Sequence, residues 1–168
     1  MIGIEFDTVS RSESGRSPLS GKEKSMHFDQ MKVGMTVEIP PVTIEKERML
    51  DFARLYDSIP LHMDEEYAKT SPFGALIAPG VMSFMSVWEK YLEVAFWQEE
   101  LLAGKSTKIE WHKPVYAEDV LRGIAEITAL TPKSPRNGMV ELTIKAYNQN
   151  NDLVLTDVTE AIIRCSEI

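Results

Sequence analysis

The sequence predicts an α+β fold in which an antiparallel sheet wraps a central apolar helix. Three observations carry this reading. Helical spacing of apolar residues governs the stretch between Thr43 and Leu102. Strand signals with hairpin punctuation govern the stretch from Thr107 to Arg164, with alternation at Thr107, Ile109 and Trp111 and again through Val140, Leu142, Ile144 and Ala146. Between them, Val81, Phe84, Met85, Trp88, Leu92, Ala95 and Phe96 cover most of a helix circumference, and a helix so apolar needs cover on several sides. Helices followed by a meander build α+β rather than a parallel doubly wound sheet.

The elements follow in order. Ile2, Ile4 and Phe6 alternate with Gly3, Glu5 and Asp7, as in a short strand. Ser10 to Ser25 is rich in Ser, Gly, Lys, Arg and Glu, with too little apolar surface to offset its own ordering. Residues 1–25 are therefore expected to form a flexible arm, and residues 26–168 a single domain. Met35 to Ile39 suits a strand stopped by Pro40-Pro41. A helix follows, with Thr43 as its cap, Glu45 and Glu47 in its first turn, and Met49, Phe52 and Leu55 inward. It ends near Tyr56. Asp57 to His62 reads as a loop because Pro60 disfavours helix at Ile59.

Asp64 caps a short helix over Glu65 to Thr70. Pro79 suits the first position of the long apolar helix, which is expected to run to about Leu102. Strands follow around Thr107, Ile109 and Trp111, over Val120 to Leu130, through Val140, Leu142, Ile144 and Ala146, and over Leu153 to Arg164. Asn137-Gly138 and Asn150-Asn151-Asp152 read as the hairpin turns.

Composition narrows the function. The chain has 168 residues, 43% hydrophobic and 26% charged, with a formal net charge of −8. That excess of acid repels phosphates and argues against general binding to nucleic acid or anionic membranes. The single cysteine, Cys165, allows no intrachain disulfide and reads as a small core residue. Residues Met1 to Thr8 lack the basic and apolar regions of a secretory signal, and no apolar run is long enough to span a bilayer, so a cytoplasmic protein is expected. There is no Cys/His cluster with metal-ligand spacing and no phosphate-cradling Gly-rich loop, so neither metal nor nucleotide hydrolysis is expected.

The chemistry points to one loop. Asp57 and His62 flank the stiffening Pro60, and in a bent loop a carboxylate and an imidazole can converge on one water. Downstream, Ile77-Ala78-Pro79-Gly80 opens the apolar helix. The Gly80 amide stands in the first turn, at the positive end of a helix dipole and with no Cβ to block approach. It is a candidate donor to a carbonyl oxygen that becomes enolate-like as water adds. His112 and the cations Lys105, Lys108, Lys113 and Arg122 lie on strands, where charge is ordinarily solvated.

These residues resemble a family. Asp57, Pro60, Leu61, His62, Ala68, Phe73, Ile77, Ala78 and Gly80, then Trp111, Pro114, Val115, Asp119 and Leu121, follow the pattern of the MaoC-like dehydratases, which include the (R)-specific enoyl-CoA hydratases. The resemblance spans about Met31 to Arg164. It implies a hot-dog fold, a homodimer or higher homo-oligomer with the active site near the interface, and an acyl-CoA thioester as substrate. Coenzyme A would enter only as part of that substrate. Asp57 and His62 correspond to the catalytic pair, and Gly80 to the thioester-oxygen donor. Three positions depart from the pattern. Ile59 replaces the family's Asn, Tyr56 its Gly, and a helix serine found in some members falls by spacing on Trp88. The expected activity is a 2-enoyl-CoA hydratase or 3-hydroxyacyl-CoA dehydratase. The alternatives are a hot-dog acyl-CoA thioesterase or a non-catalytic acyl-thioester-binding protein.

Overall fold

The computed structural model describes residues 25–166. The early strand over residues 2–6, and all of the expected arm but Ser25, lie outside them. Five strands, β1 (Thr36–Thr43), β2 (Leu101–Trp111), β3 (Val120–Ser134), β4 (Asn137–Tyr147) and β5 (Leu153–Arg164), form one antiparallel sheet in the order β1-β3-β4-β5-β2. Helices α1 (Lys46–Tyr56), α2 (Pro60–Met63), α3 (Glu65–Thr70) and α4 (Gly80–Val94) lie between β1 and β2 in the chain. α4 packs against β1, at one edge of the sheet, and its first residue meets Trp111 of β2, at the other. The sheet therefore curls around α4, which is the hot-dog arrangement.

The core follows the alternation. Val140, Leu142, Ile144 and Ala146 are all buried, as are Leu155, Ala161 and Ile163 of β5, and they meet the inward side of α4 at Val87 and Tyr91. The alternation also carries a carboxylate inward, since Asp157 shares that face of β5 and its side chain is shut off from solvent.

Five boundaries differ from the expectation. β1 runs through Pro40-Pro41, where the register shifts between Ile39 and Val42; an edge strand absorbs two missing N–H groups in a bulge. α1 is capped at Glu45 without a side-chain bond, not at Thr43. Leu55 is 73% exposed because a step of six residues turns off the buried face, and Ala53 takes its place. α4 stops at Val94 rather than near Leu102: Trp97 folds back into the core against Tyr91, with ring centroids 6.0 Å apart, and β2 already begins at Leu101. Apolar content alone did not mark that end. Finally, the β3–β4 turn is at Pro135-Arg136, and Asn137-Gly138 pairs within β4. Gly138 is needed there because a Cβ would overlap the Phe28 ring. The turn after β4 is as read: Asn148 Oδ1 accepts the N–H groups of Asn150 and Asp152, and Asn151 takes a left-handed φ of 65°.

Candidate active site

α1 ends on Asp57, whose N–H donates to the Ala53 carbonyl at 2.9 Å. A carboxylate at a helix C-terminus faces the negative end of the dipole, so helix stability does not explain it. Ile59 is extended, as a residue before proline must be, and Pro60 supplies the first position of α2. The stretch read as loop is thus partly a helical turn. That turn carries His62 inward, where it is buried. Asp64 then caps α3 as expected, accepting the N–H groups of Glu66 at 2.9 Å and Tyr67 at 3.0 Å.

The imidazole is held at one nitrogen and leaves the other toward Asp57. Nδ1 lies 2.7 Å from the Ile77 carbonyl oxygen. A carbonyl only accepts, so Nδ1 carries the hydrogen and the neutral ring keeps its lone pair on Nε2. Nε2 lies 3.4 Å from Asp57 Oδ2. The His62 side chain is 7% exposed and that of Asp57 is 42% exposed, so the pair has one dry member and one open to water.

The segment carrying the Ile77 carbonyl is held against the Pro114–Asp119 turn. Ala78 N–H donates to the Val115 carbonyl at 2.7 Å, and Ile77 bridges Tyr116. Asp119 shapes that turn by accepting from Tyr116 N–H at 2.8 Å and from Gln149 at 2.7 Å, which gives the family's acidic position a structural role. Pro79 then starts α4 and Gly80 is its first residue. The N–H groups of a first helical turn have no intrahelical acceptor. The Gly80 carbonyl accepts from Trp111 Nε1 at 2.9 Å, and a Cβ on Gly80 would stand 2.7 Å from the Trp111 ring. Only glycine admits the indole here.

His62, Ala78, Gly80, Ser83, Trp111 and Val115 wall one cavity of about 300 Å³. The structure thus brings His62 and Gly80 onto one cavity, with Asp57 beside the imidazole. Ser83 was missed by spacing. The serine position fell on Trp88, which stacks instead between Phe84 and Tyr91, at 5.7 and 5.1 Å. Ser83 is one turn beyond Gly80, so helical spacing from Gly80 was the available signal. It is buried, and its hydroxyl has only a 3.5 Å contact with the Pro79 carbonyl. His112, read as a solvated strand residue, also lines the cavity and pairs with Thr156 at 2.9 Å. The departures Ile59 and Tyr56 are both exposed, and Tyr56 stacks on Phe52 at 4.9 Å. Neither fills the cavity. Each of the four cations singled out in the sequence has a partner: Lys105 with Glu160, Lys108 with Glu110, Lys113 with Asp152 and Arg122 with Asn151.

The family model described as "MaoC like domain" matches residues 28–149. The chain belongs to the MaoC-like family. It is similar to YdeM of Bacillus subtilis, an uncharacterized protein, with 26% identity over 140 residues covering 83% of this chain and 99% of that protein. Among solved structures it resembles a monoamine oxidase regulatory protein from Archaeoglobus fulgidus, with a TM-score of 0.80, 27% identity, and 84% of this chain and 96% of that one covered. The (R)-hydratase PhaJ1 of Pseudomonas aeruginosa shares the fold, with a TM-score of 0.68 and 24% identity over 85% of this MaoC-like chain and 88% of its own. Among the described residues no helix is long and apolar enough to cross a membrane.

Proposed function

We propose that this MaoC-like protein is a hydro-lyase that adds water to a 2-enoyl-CoA thioester or removes it from the 3-hydroxyacyl product. One observation carries the reading: an imidazole with a fixed tautomer and an uncapped helix amide share a cavity, beside an acid 3.4 Å from the ring. The named activity of PhaJ1, an (R)-hydratase, supports it.

In this scheme a water sits between Asp57 Oδ2 and His62 Nε2, donating one O–H to each. As the water oxygen bonds to C3, its proton passes to Asp57 and the C2–C3 π pair moves toward the thioester oxygen. Gly80 N–H donates to that oxygen as it becomes an enolate. The proton crosses to Nε2 and returns to C2 as the thioester reforms. Atoms balance with no external donor, so coenzyme A is needed only as the carrier of the acyl group. The Ile77 carbonyl keeps Nε2 free to accept, and the Ser83 hydroxyl is placed to meet a polar group of the bound acyl chain.

The test is product analysis over short, long, branched and dicarboxylic enoyl-CoA substrates. The reading expects a 3-hydroxyacyl-CoA from at least one. Release of free thiol without that product would assign a thioesterase. Tight acyl-CoA binding with no turnover across the panel would assign a binding module.

A further inference from the structure

Asp157 is a buried acid that the reaction scheme leaves unused. It sits on the inner face of β5 with no exposed surface, opposite Ile109 of β2 and Ile144 of β4. Thr159 directs its one hydroxyl hydrogen to Asp157 Oδ2 at 2.9 Å, and therefore accepts from Thr107 at 2.9 Å. That relay holds Oδ2 and leaves Oδ1 buried with no partner among the described residues. A buried acceptor left without a hydrogen bond is costly, and one kept in a fold calls for a partner from outside the chain.

The dyad cavity leads toward it. Trp111 walls that cavity against Gly80 and stands opposite Leu155 in the β2–β5 ladder. At the other end of α4, Tyr91 meets Trp97, shortly before β2 opens at Leu101, whose partner is Ile163. α4 and β5 therefore run in the same direction from the Gly80 end. Two residues of β5 place Asp157 ~6.6 Å beyond Leu155, and three residues of α4 place Ser83 ~4.5 Å beyond Gly80. The carboxyl thus lies in the layer just past Ser83. Ser83 is buried, walls the cavity, and has only the 3.5 Å contact between its hydroxyl and the Pro79 carbonyl. α4 leaves the inner face of β2 partly open on this route, with Ile109 half-buried and Trp111 exposed. Two polar groups with spare hydrogen-bonding capacity stand one after the other inward from the Gly80 amide.

A hydroxyl group matches both. It donates to Oδ1 and accepts from Ser83. A carboxylate would meet Asp157 with no cation between the two charges. An ammonium would offer Ser83 no acceptor and would lose its hydration on burial. Two residues of extended backbone span about six bonds, which is the path from a thioester oxygen at Gly80 to a hydroxyl oxygen on the fifth acyl carbon. We propose that Ser83 and Asp157 select an acyl thioester with a hydroxyl near its fifth carbon, Asp157 Oδ1 accepting its hydrogen and Ser83 donating to its oxygen. This rests on the hydration reading for the thioester.

The experiment uses the full chain and compares 5-hydroxy-2-hexenoyl-CoA with 2-hexenoyl-CoA. kcat/KM is expected to be about tenfold higher for the hydroxylated substrate. 2-Hexenedioyl-CoA, which ends in a carboxylate, is expected to be the poorest of the three. Ser83→Ala and Asp157→Leu are each expected to bring the ratio of the first two toward one. Asp157→Asn still forms a hydrogen bond there and is expected to keep part of the preference. Each variant is read as a ratio between two substrates, so a general loss of activity or folded protein cancels. Equal kcat/KM for the hydroxylated and plain substrates would overturn the proposal and leave the hydration reading standing. Preference for the carboxylate, or a ratio that neither Ser83→Ala nor Asp157→Leu moves, would also overturn it. Calorimetry with the saturated 5-hydroxyhexanoyl-CoA and hexanoyl-CoA separates the site from the reaction. Tighter binding of the hydroxylated compound supports the site even where no substrate is hydrated, a result that would refute the hydration reading alone. Equal binding, as when a trapped water satisfies Oδ1, or no binding of either compound, overturns the proposal.

Discussion

Replacing Asp157 by Asn is expected to stabilise the protein increasingly as pH rises. Asp157 is inaccessible to solvent on the inner face of β5. Its Oδ2 accepts from Thr159 at 2.9 Å, but its Oδ1 is buried with no partner. Burial pushes its carboxyl up from an ordinary 3.8 to about 6, the Thr159 hydroxyl offsetting only part of that. A raised acid pKa means the folded chain holds a proton that the unfolded chain has released between those two values. Stability from this group is therefore full below about pH 3.8, declines as pH rises, and is lost above about 6. The difference of about 2 units amounts to ~3 kcal/mol at 1.36 kcal/mol per unit. Asn does not titrate, so the pH-dependent part of its effect isolates this term. Going from pH 4 to pH 8, the Asp157→Asn variant is expected to gain ~3 kcal/mol over wild type. That equals a relative Tm change of about 6–12 °C for a domain of this size. Chemical denaturation at both pH values and one protein concentration measures it. A stability difference that is the same at pH 4 and pH 8 would refute the burial argument.

Two other substitutions test the site's supports. Gly80→Ala drives a Cβ into the Trp111 ring and is expected to cost ~1–3 kcal/mol of stability. It is also expected to lower hydration about a hundredfold, because a displacement near 1 Å at a catalytic group carries that penalty; steady-state kinetics and a thermal melt read the two effects. Asp64→Ala removes the cap of α3 and is expected to cost ~1 kcal/mol, with Asp64→Asn largely restoring it, as thermal unfolding would show.

Much of the site was legible in the sequence because it is local. Asp57, Pro60 and His62 lie within one short segment, Pro79-Gly80 marks a helix start, and Asp64 caps the next helix by its own side chain. The inward row of β4 was legible for the same reason, since alternation is a property of consecutive residues. What escaped depends on contacts distant in the chain. The Ile77 carbonyl that sets the His62 tautomer comes from another segment. Trp97, which ends α4, is apolar like the residues it follows, and only packing against Tyr91 turns it back. Asn137-Gly138 has the composition of a turn, but the Phe28 ring claims Gly138 for β4. Ser83 stands one helical turn beyond Gly80, but which residues of α4 wall the cavity is set by how that helix seats against Trp111. Asp157 carries no signal of its own in the strand sequence, and only the register of β5 points it inward.

Hydration by this site requires Asp57 and His62 to share one water. The direct measurement is kcat/KM for crotonyl-CoA hydration by Asp57→Asn and His62→Ala, with circular dichroism confirming that both fold. A loss of about 10²–10⁴-fold is expected in each, the contribution of a positioned acid or base. An active wild-type protein alongside two folded variants that hydrate at its rate would contradict it.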